Sequence, residues 1–177
     1  MVQSINPTQK NDETDGLPMP KRIWAVVSVG FALCMSVLDI NIVNIVLPTL
    51  SHDFGTSPAV TTWIINGYQL AIVISLLSFS ALGEIIGYRK VFLSGIGLFC
   101  VTSLICALSD SFWTLTVARI FQGFSASAIT SVNTAQLRYI YPKSQTGRGM
   151  GINAMVVAIS AAAGPSVASG ILSIASW

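Results

Sequence analysis

The chain has 177 residues, of which 53% are hydrophobic and only 9% charged, with a formal net charge of +2. A soluble domain carries about 25% charged residues, so this composition excludes a water-soluble surface and points to a membrane protein. The charge excess is too small for a nucleic-acid partner, and no basic cluster with interleaved aromatics occurs.

Residues 1–22 are polar and broken by Pro7, Gly16, Pro18 and Pro20, which predicts a flexible cytoplasmic tail. The remainder, 23–177, alternates long uncharged runs with short charged connectors. A membrane helix needs about 20 apolar residues. Five runs qualify, at 23–47, 59–83, 91–108, 112–139 and 149–175. They are predicted to be helices, because an open strand would leave backbone groups unsatisfied in lipid. The first run is too long for the apolar core of a signal peptide and lacks a small-x-small cleavage site.

Within the first run stands LDINIVNIVLP, Leu38 to Pro48, where Asp39, Asn41 and Asn44 interrupt the aliphatic residues and Pro48 is expected to end the span. The second run carries a polar stripe of Thr62, Asn66 and Gln69. The connector that follows reads as an anchored turn. Gly87 supplies a positive φ, Arg89 and Lys90 hold the interface, and Glu84 is able to pair with them, although its charge partner, like the packing partner of Gly164 and Pro165, is expected in spans beyond this chain. On the fourth run, Arg119 shares a helical stripe with Gln122, Gly123, Ala126, Thr130 and Asn133. Phe121, Phe124, Ala128 and Val132 lie opposite and read as a lipid-like face. The fifth run contains ISAAAGPSVASG, whose small residues around Gly164 and Pro165 predict close contact with another helix and a proline kink.

The basic residues set an expected orientation. Lys10, Lys21 and Arg22 precede the first span, Arg89 and Lys90 the third, and Arg138, Lys143 and Arg148 flank the fourth connector. The intervening connectors hold only His52, Asp53 and Asp110. The N-terminus is therefore expected to be cytoplasmic, in a multi-pass protein of the cell (inner) membrane.

One basic residue, Arg119, lies inside a span. A charge at mid-bilayer costs about 2.5–3.5 kcal/mol on insertion scales, so such groups usually face water or a partner. Asp39 lies nine positions before Pro48, and Arg119 eight positions after Ser111. Both therefore sit about 12–14 Å below the same face, one layer deep enough for a direct or water-bridged contact. We read Asp39 and Arg119 as functional in preference to a purely structural bridge. Asn41 and Asn44 read as helix–helix glue in preference to substrate contacts. Asn66, Gln69, Gln122, Thr130 and Asn133 are the candidate lining of a cavity. The three cysteines (Cys34, Cys100, Cys106) lie in apolar runs without a C-x-x-C pair and read as small buried hydrophobes. A single histidine, with no nucleophile–base pair, metal spacing or phosphate loop, argues against an enzyme.

Together these segments resemble the major facilitator superfamily, and within it the drug:proton antiporters with fourteen spans. LDINIVNIVLP is similar to the first-span signature L-D-x-T-I-V-N-V-A-L-P, with Asn41 in place of threonine. The loop after the second span resembles G-x-x-x-[DE]-[RK]-x-G-x-[RK]-[RK] through Glu84, Gly87, Arg89 and Lys90, with Ser80 and Ile85 as departures. Arg119, Gln122 and Gly123 match the fourth-span motif l-x-x-x-R-x-x-q-G. Gly164 and Pro165 match the antiporter motif g-x-x-x-G-P-x-x-G-G, while Ser160, Ala168 and Ser169 replace glycines. The resemblance covers residues 22–177.

It implies an all-α membrane fold in which five transmembrane helices form an incomplete N-terminal six-helix bundle. It further implies a proton-coupled exporter of amphipathic or cationic drugs, driven by the proton gradient without a cofactor. Arg119 would take part in proton coupling, Asp39 would carry a proton or meet a cationic substrate, and Glu84, Gly87, Arg89 and Lys90 would belong to a gating loop. The family builds its cavity between two bundles of three-helix repeats, so the chain is expected to be an N-terminal fragment, inactive alone. Ser176–Trp177 resembles the start of a W-R-W-like stretch after the fifth span. Expected partners are lipid, a small-molecule substrate and the remaining spans. The alternatives are a metabolite symporter of the same superfamily and a small membrane protein that binds partners.

Overall fold

A computed structural model describes residues 16–174, with side chains to Gly170. Most of the predicted tail, and Ser176–Trp177, lie outside the described residues. What is described of the tail is docked. The Leu17 amide donates to the Ile140 carbonyl at 3.2 Å, and Arg22 Nε donates to the Leu17 carbonyl at 3.1 Å. The first helix therefore begins at Met19, within the residues read as tail, with Leu17 packed onto the core.

The described residues form helices and no strand. Helix α1 runs Met19–Asp53, α2 is the single turn Pro58–Thr61, and α3 spans Trp63–Ile86. Helix α4 spans Tyr88–Ala107 and α5 Phe112–Ile140. A 3-10 turn (Lys143–Gln145) then leads into α6, Thr146–Ile174.

Two helix ends fall beyond the apolar runs, for physical reasons. Pro48 does not end the first helix; α1 continues through it for another turn and a half. An internal proline costs about 3 kcal/mol or more in a helix. Here burial on either side offsets it: Val46 and Leu50 are almost wholly enclosed, in one cluster with Ile64 of α3 and Leu115 of α5. The second boundary is the turn between α3 and α4, which is a single residue, Gly87, at φ 101°. Only glycine adopts that conformation without strain, so α4 starts at Tyr88, three residues before the apolar run.

Helix α5 is the centre. It packs chiefly against α3 and α4, while α6 packs chiefly against α1. Four helical segments (α1, α2–α3, α4, and α6 with its preceding turn) are long and apolar enough to cross a membrane. The 29-residue α5 has the length but not the composition. Its neighbours are protein, so it has no need of a greasy circumference. This corrects the lipid-like face expected on α5. Phe121 is exposed, but Ala128 and Val132 are buried. Ala128 packs where α4 presents Gly95, and Val132 where α3 presents Gly83. On the outer helices the exposed residues are apolar instead, Leu77 and Ile85 of α3 being each 81% exposed.

Small residues allow these approaches. A Cβ on Gly123 of α5 would collide with the Tyr68 carbonyl oxygen of α3. Ser127 Oγ donates across the same seam to the Ile72 carbonyl at 3.2 Å. A Cβ on Gly164 of α6 would lie 2.6 Å from the Cβ of Asn41 on α1. The close contact of the fifth span with another helix is therefore made, but the partner of Gly164 is α1, which corrects the expectation that the packing partner of Gly164 and Pro165 lies in spans outside this chain. The cysteines are free, but they are not the buried hydrophobes expected: Cys100 is exposed, and Cys34 and Cys106 are half-buried.

Candidate functional site: a buried ion pair between α1 and α5

Asp39 and Arg119 meet. Arg119 Nη1 donates to Asp39 Oδ2 at 2.6 Å. The same nitrogen donates to Gln122 Oε1 at 2.6 Å. Gln122 Nε2 in turn donates to Asp39 Oδ1 at 3.2 Å and to Ser103 Oγ of α4 at 2.7 Å. The Cys106 thiol donates to Gln122 Oε1 at 3.5 Å. The Arg119 guanidinium carbon lies 4.3 Å from the centroid of the Tyr68 ring, a cation–π contact from α3. Four helices thus converge on one charge pair.

The helical repeat explains the convergence. Arg119 and Gln122 are three apart, so they share a face of α5. Ser103 and Cys106 are likewise three apart on α4. Gln122 is amphoteric, an acceptor toward the cation and a donor toward the anion, so it can bridge both partners at once.

Exposure differs between the two charges. The Arg119 side chain is 3% exposed and that of Asp39 is 21% exposed. Arginine is enclosed by protein, whereas the carboxylate keeps an open side. A buried pair gains from the low local dielectric but loses hydration, and hydrogen bonds to the remaining atoms decide the balance. Gln122 bonds to both partners and the Tyr68 face covers the guanidinium, while Arg119 Nε is buried without a hydrogen-bond partner among the described residues.

The other predicted residues are placed elsewhere. Asn66 and Gln69 are exposed on α3 and do not bond to the pair. Thr130 donates to the carbonyls of Ala126 and Ser127 on its own helix. Asn133 is buried, and its Oδ1 has no hydrogen-bond partner among the described residues. Asn41 donates to the Val37 carbonyl at 2.8 Å and abuts Gly164, as a helix–helix contact would. Asn44 is exposed. In the loop, Glu84, Arg89 and Lys90 are all exposed, and Glu84 forms no ion pair with either base. An exposed pair is worth about 1 kcal/mol or less, too little to hold two long side chains in one geometry.

Tyr68, Ser103 and Cys106 are the members that sequence reasoning missed. Their signal was depth. Tyr68 lies ten positions after Pro58, and Ser103 six before Ser109, which puts both within about one helical turn of the Asp39 layer. The arithmetic that paired Asp39 with Arg119 would have marked them.

Fold and site together define a multi-pass helical membrane protein whose central helix is tied to the first by a desolvated ion pair. The chain belongs to the major facilitator superfamily, whose description matches residues 29–177. It is 53% identical over 165 residues to the uncharacterized transporter YebQ of Escherichia coli, covering 93% of this chain and 36% of that protein. It is 32% identical over 177 residues to the tetracenomycin C resistance and export protein of Streptomyces glaucescens, covering 96% and 33%. It is 30% identical over 158 residues to the riboflavin transporter RibZ of Clostridioides difficile, covering 89% and 35%. The chain thus spans about a third of the length of the curated relatives it matches.

Proposed function

We propose that this chain forms the N-terminal helices of a proton-coupled exporter of amphipathic or cationic compounds. The observation that carries the reading is the asymmetric pair, an enclosed Arg119 against a partly open Asp39. Protonation of Asp39 through its open side cancels the attraction to Arg119 and frees the bridging Gln122. The contact between α1 and α5 then weakens, and a protonated and a deprotonated carboxylate favour different arrangements of the helices. A ligand or proton shifts such an equilibrium only by its differential affinity for the two states, and this carboxylate provides one. A cationic substrate competing with Arg119 for Asp39 would couple the two fluxes.

Relatives named for drug efflux and antibiotic export support the export direction. The proton gradient is the energy source and no cofactor is required. The alternation of basic connectors supports an inner-membrane protein with a cytoplasmic N-terminus. Residues 1–177 alone are not expected to transport, and the remaining spans of a longer transporter are the partner. A second reading, metabolite transport, is favoured by the riboflavin transporter among the relatives.

The test is proton-driven dye efflux in everted vesicles carrying the whole gene product. Asp39→Asn and Arg119→Ala are each expected to abolish efflux coupled to the gradient while the protein still assembles. Unaltered efflux with an unaltered pH profile in both variants would exclude the mechanism. Substrate movement with the gradient rather than against it would select the second reading.

A further inference from the structure

At the end of the bundle where α1 begins, α4 begins and α5 ends, there is a cavity of about 700 Å³. Lys21 and Arg89 line it, together with Trp24, Tyr139, Phe92 and Gln136, and no acidic residue among the described residues does. Neither cation is held in an ion pair with the described residues. The floor is apolar, with Val29 and Phe92 both buried. The wall is aromatic: Tyr88 and Tyr139 stack obliquely with ring centroids 5.9 Å apart, and Gln136 Nε2 pins the Tyr88 carbonyl at 3.2 Å. Trp24 and Tyr139 are both largely exposed, as aromatics are at the level of lipid headgroups.

We propose that this cavity binds an anionic glycerophospholipid, with the headgroup phosphate between Lys21 and Arg89 and the upper acyl chain along Val29 and Phe92. Three features select this occupant. Two cations with no carboxylate beside them among the described residues favour a net negative ligand, which a zwitterionic lipid is not. A greasy floor beneath a charged mouth fits an amphiphile and not a free anion. Basic hollows between transmembrane helices are where anionic headgroups lodge. The bound lipid would bridge α1 to the turn between α3 and α4, two elements that share little direct contact. This assignment goes beyond the transport reading and does not rest on it.

The experiment is native mass spectrometry of the purified gene product in detergent, titrated with dioleoyl-phosphatidylglycerol or dioleoyl-phosphatidylcholine. A third arm uses glycerol-3-phosphate, the charged part without chains. The proposal expects retention of phosphatidylglycerol well above phosphatidylcholine, and little of glycerol-3-phosphate. The paired change Lys21→Gln and Arg89→Gln should reduce phosphatidylglycerol affinity about thirtyfold, the combined worth of two cations at an anionic surface. Lys90→Gln, an exposed base outside the cavity, should leave it within about twofold. Because all three positions are exposed, the variants are expected to fold, which gel filtration checks. Equal retention of the two lipids, unchanged affinity in the paired variant, or an equal loss in Lys90→Gln would each overturn the proposal.

Discussion

Arg119 is the residue on which the site turns. Its guanidinium is enclosed, and its charge is matched by one carboxylate and one amide oxygen. Removing one partner of a buried pair strands the other, at a cost of about 3–5 kcal/mol. Asp39→Ala should therefore lower the Tm of the purified protein markedly, whereas the double change Asp39→Asn with Arg119→Gln should recover much of the loss. Thermal melts in detergent read both. If the double variant melts no higher than Asp39→Ala, the pair is not the electrostatic unit described. Tyr68 gives a second expectation. Tyr68→Phe keeps a ring over the cation, but Tyr68→Leu removes it. Only the leucine variant should destabilise, by about 2 kcal/mol for a desolvated cation–π contact, measured in the same melts. Asp39 and Arg119 were legible in the sequence because the cost of charge in lipid and the rise of a helix fix their depth. The bridge through Gln122 to Ser103 was not, since it depends on side-chain rotamers and on which face of α4 turns inward.

Helices were legible for the same reason that they are helices. Lipid leaves the backbone no other partner, so a long apolar run declares itself. Where the rule fails, protein has replaced lipid as the solvent. α5 carries Ser125, Ser127 and Gln122 in full burial because α3 and α4 flank it. The same substitution of solvent puts Ala128 and Val132, apolar enough for a lipid face, against protein. Pro48 reads as a terminus from local geometry alone, and the packing of Val46 and Leu50 carries the helix through it. The seam between α3 and α5 yields a sharp prediction. Gly123→Val would force its side chain onto the Tyr68 carbonyl oxygen, a backbone atom that cannot step aside. Yield of folded protein should fall severely, as gel filtration would show, while Gly97→Val, where a Cβ meets nothing within 4 Å, should be tolerated. Equal tolerance of both would mean the helices are not in close contact.

For the molecule as a whole, the bases of the turns and termini gather at one end of the bundle. Arg22 reaches Gln145 there at 3.4 Å, and Lys21 and Arg89 line one cavity. The opposite end holds Asp53 and Asp110. Single cysteines placed in a background freed of the native ones would read this polarity. Lys90→Cys should react with a permeant maleimide and resist an impermeant one added outside cells, and Asp110→Cys should react with both. The reverse pattern would invert the proposed topology. That polarity was visible in the sequence as alternating connectors. What the sequence could not show is which helices are neighbours, because every outer helix presents the same kind of apolar surface to its surroundings.

The lone glycine between α3 and α4 has a mechanical meaning. Two rods joined by one residue, with a third wedged along both, have no slack to slide past each other. α1, by contrast, leaves Asp53 through the short bend 54–57 and meets α5 both in the apolar cluster of Val46, Leu50 and Leu115 and at the Asp39–Arg119 contact, which the proposed protonation would cancel. On the proposed mechanism, a rearrangement within these helices would swing α1, with α6 packed on it, about the frame of α3, α4 and α5.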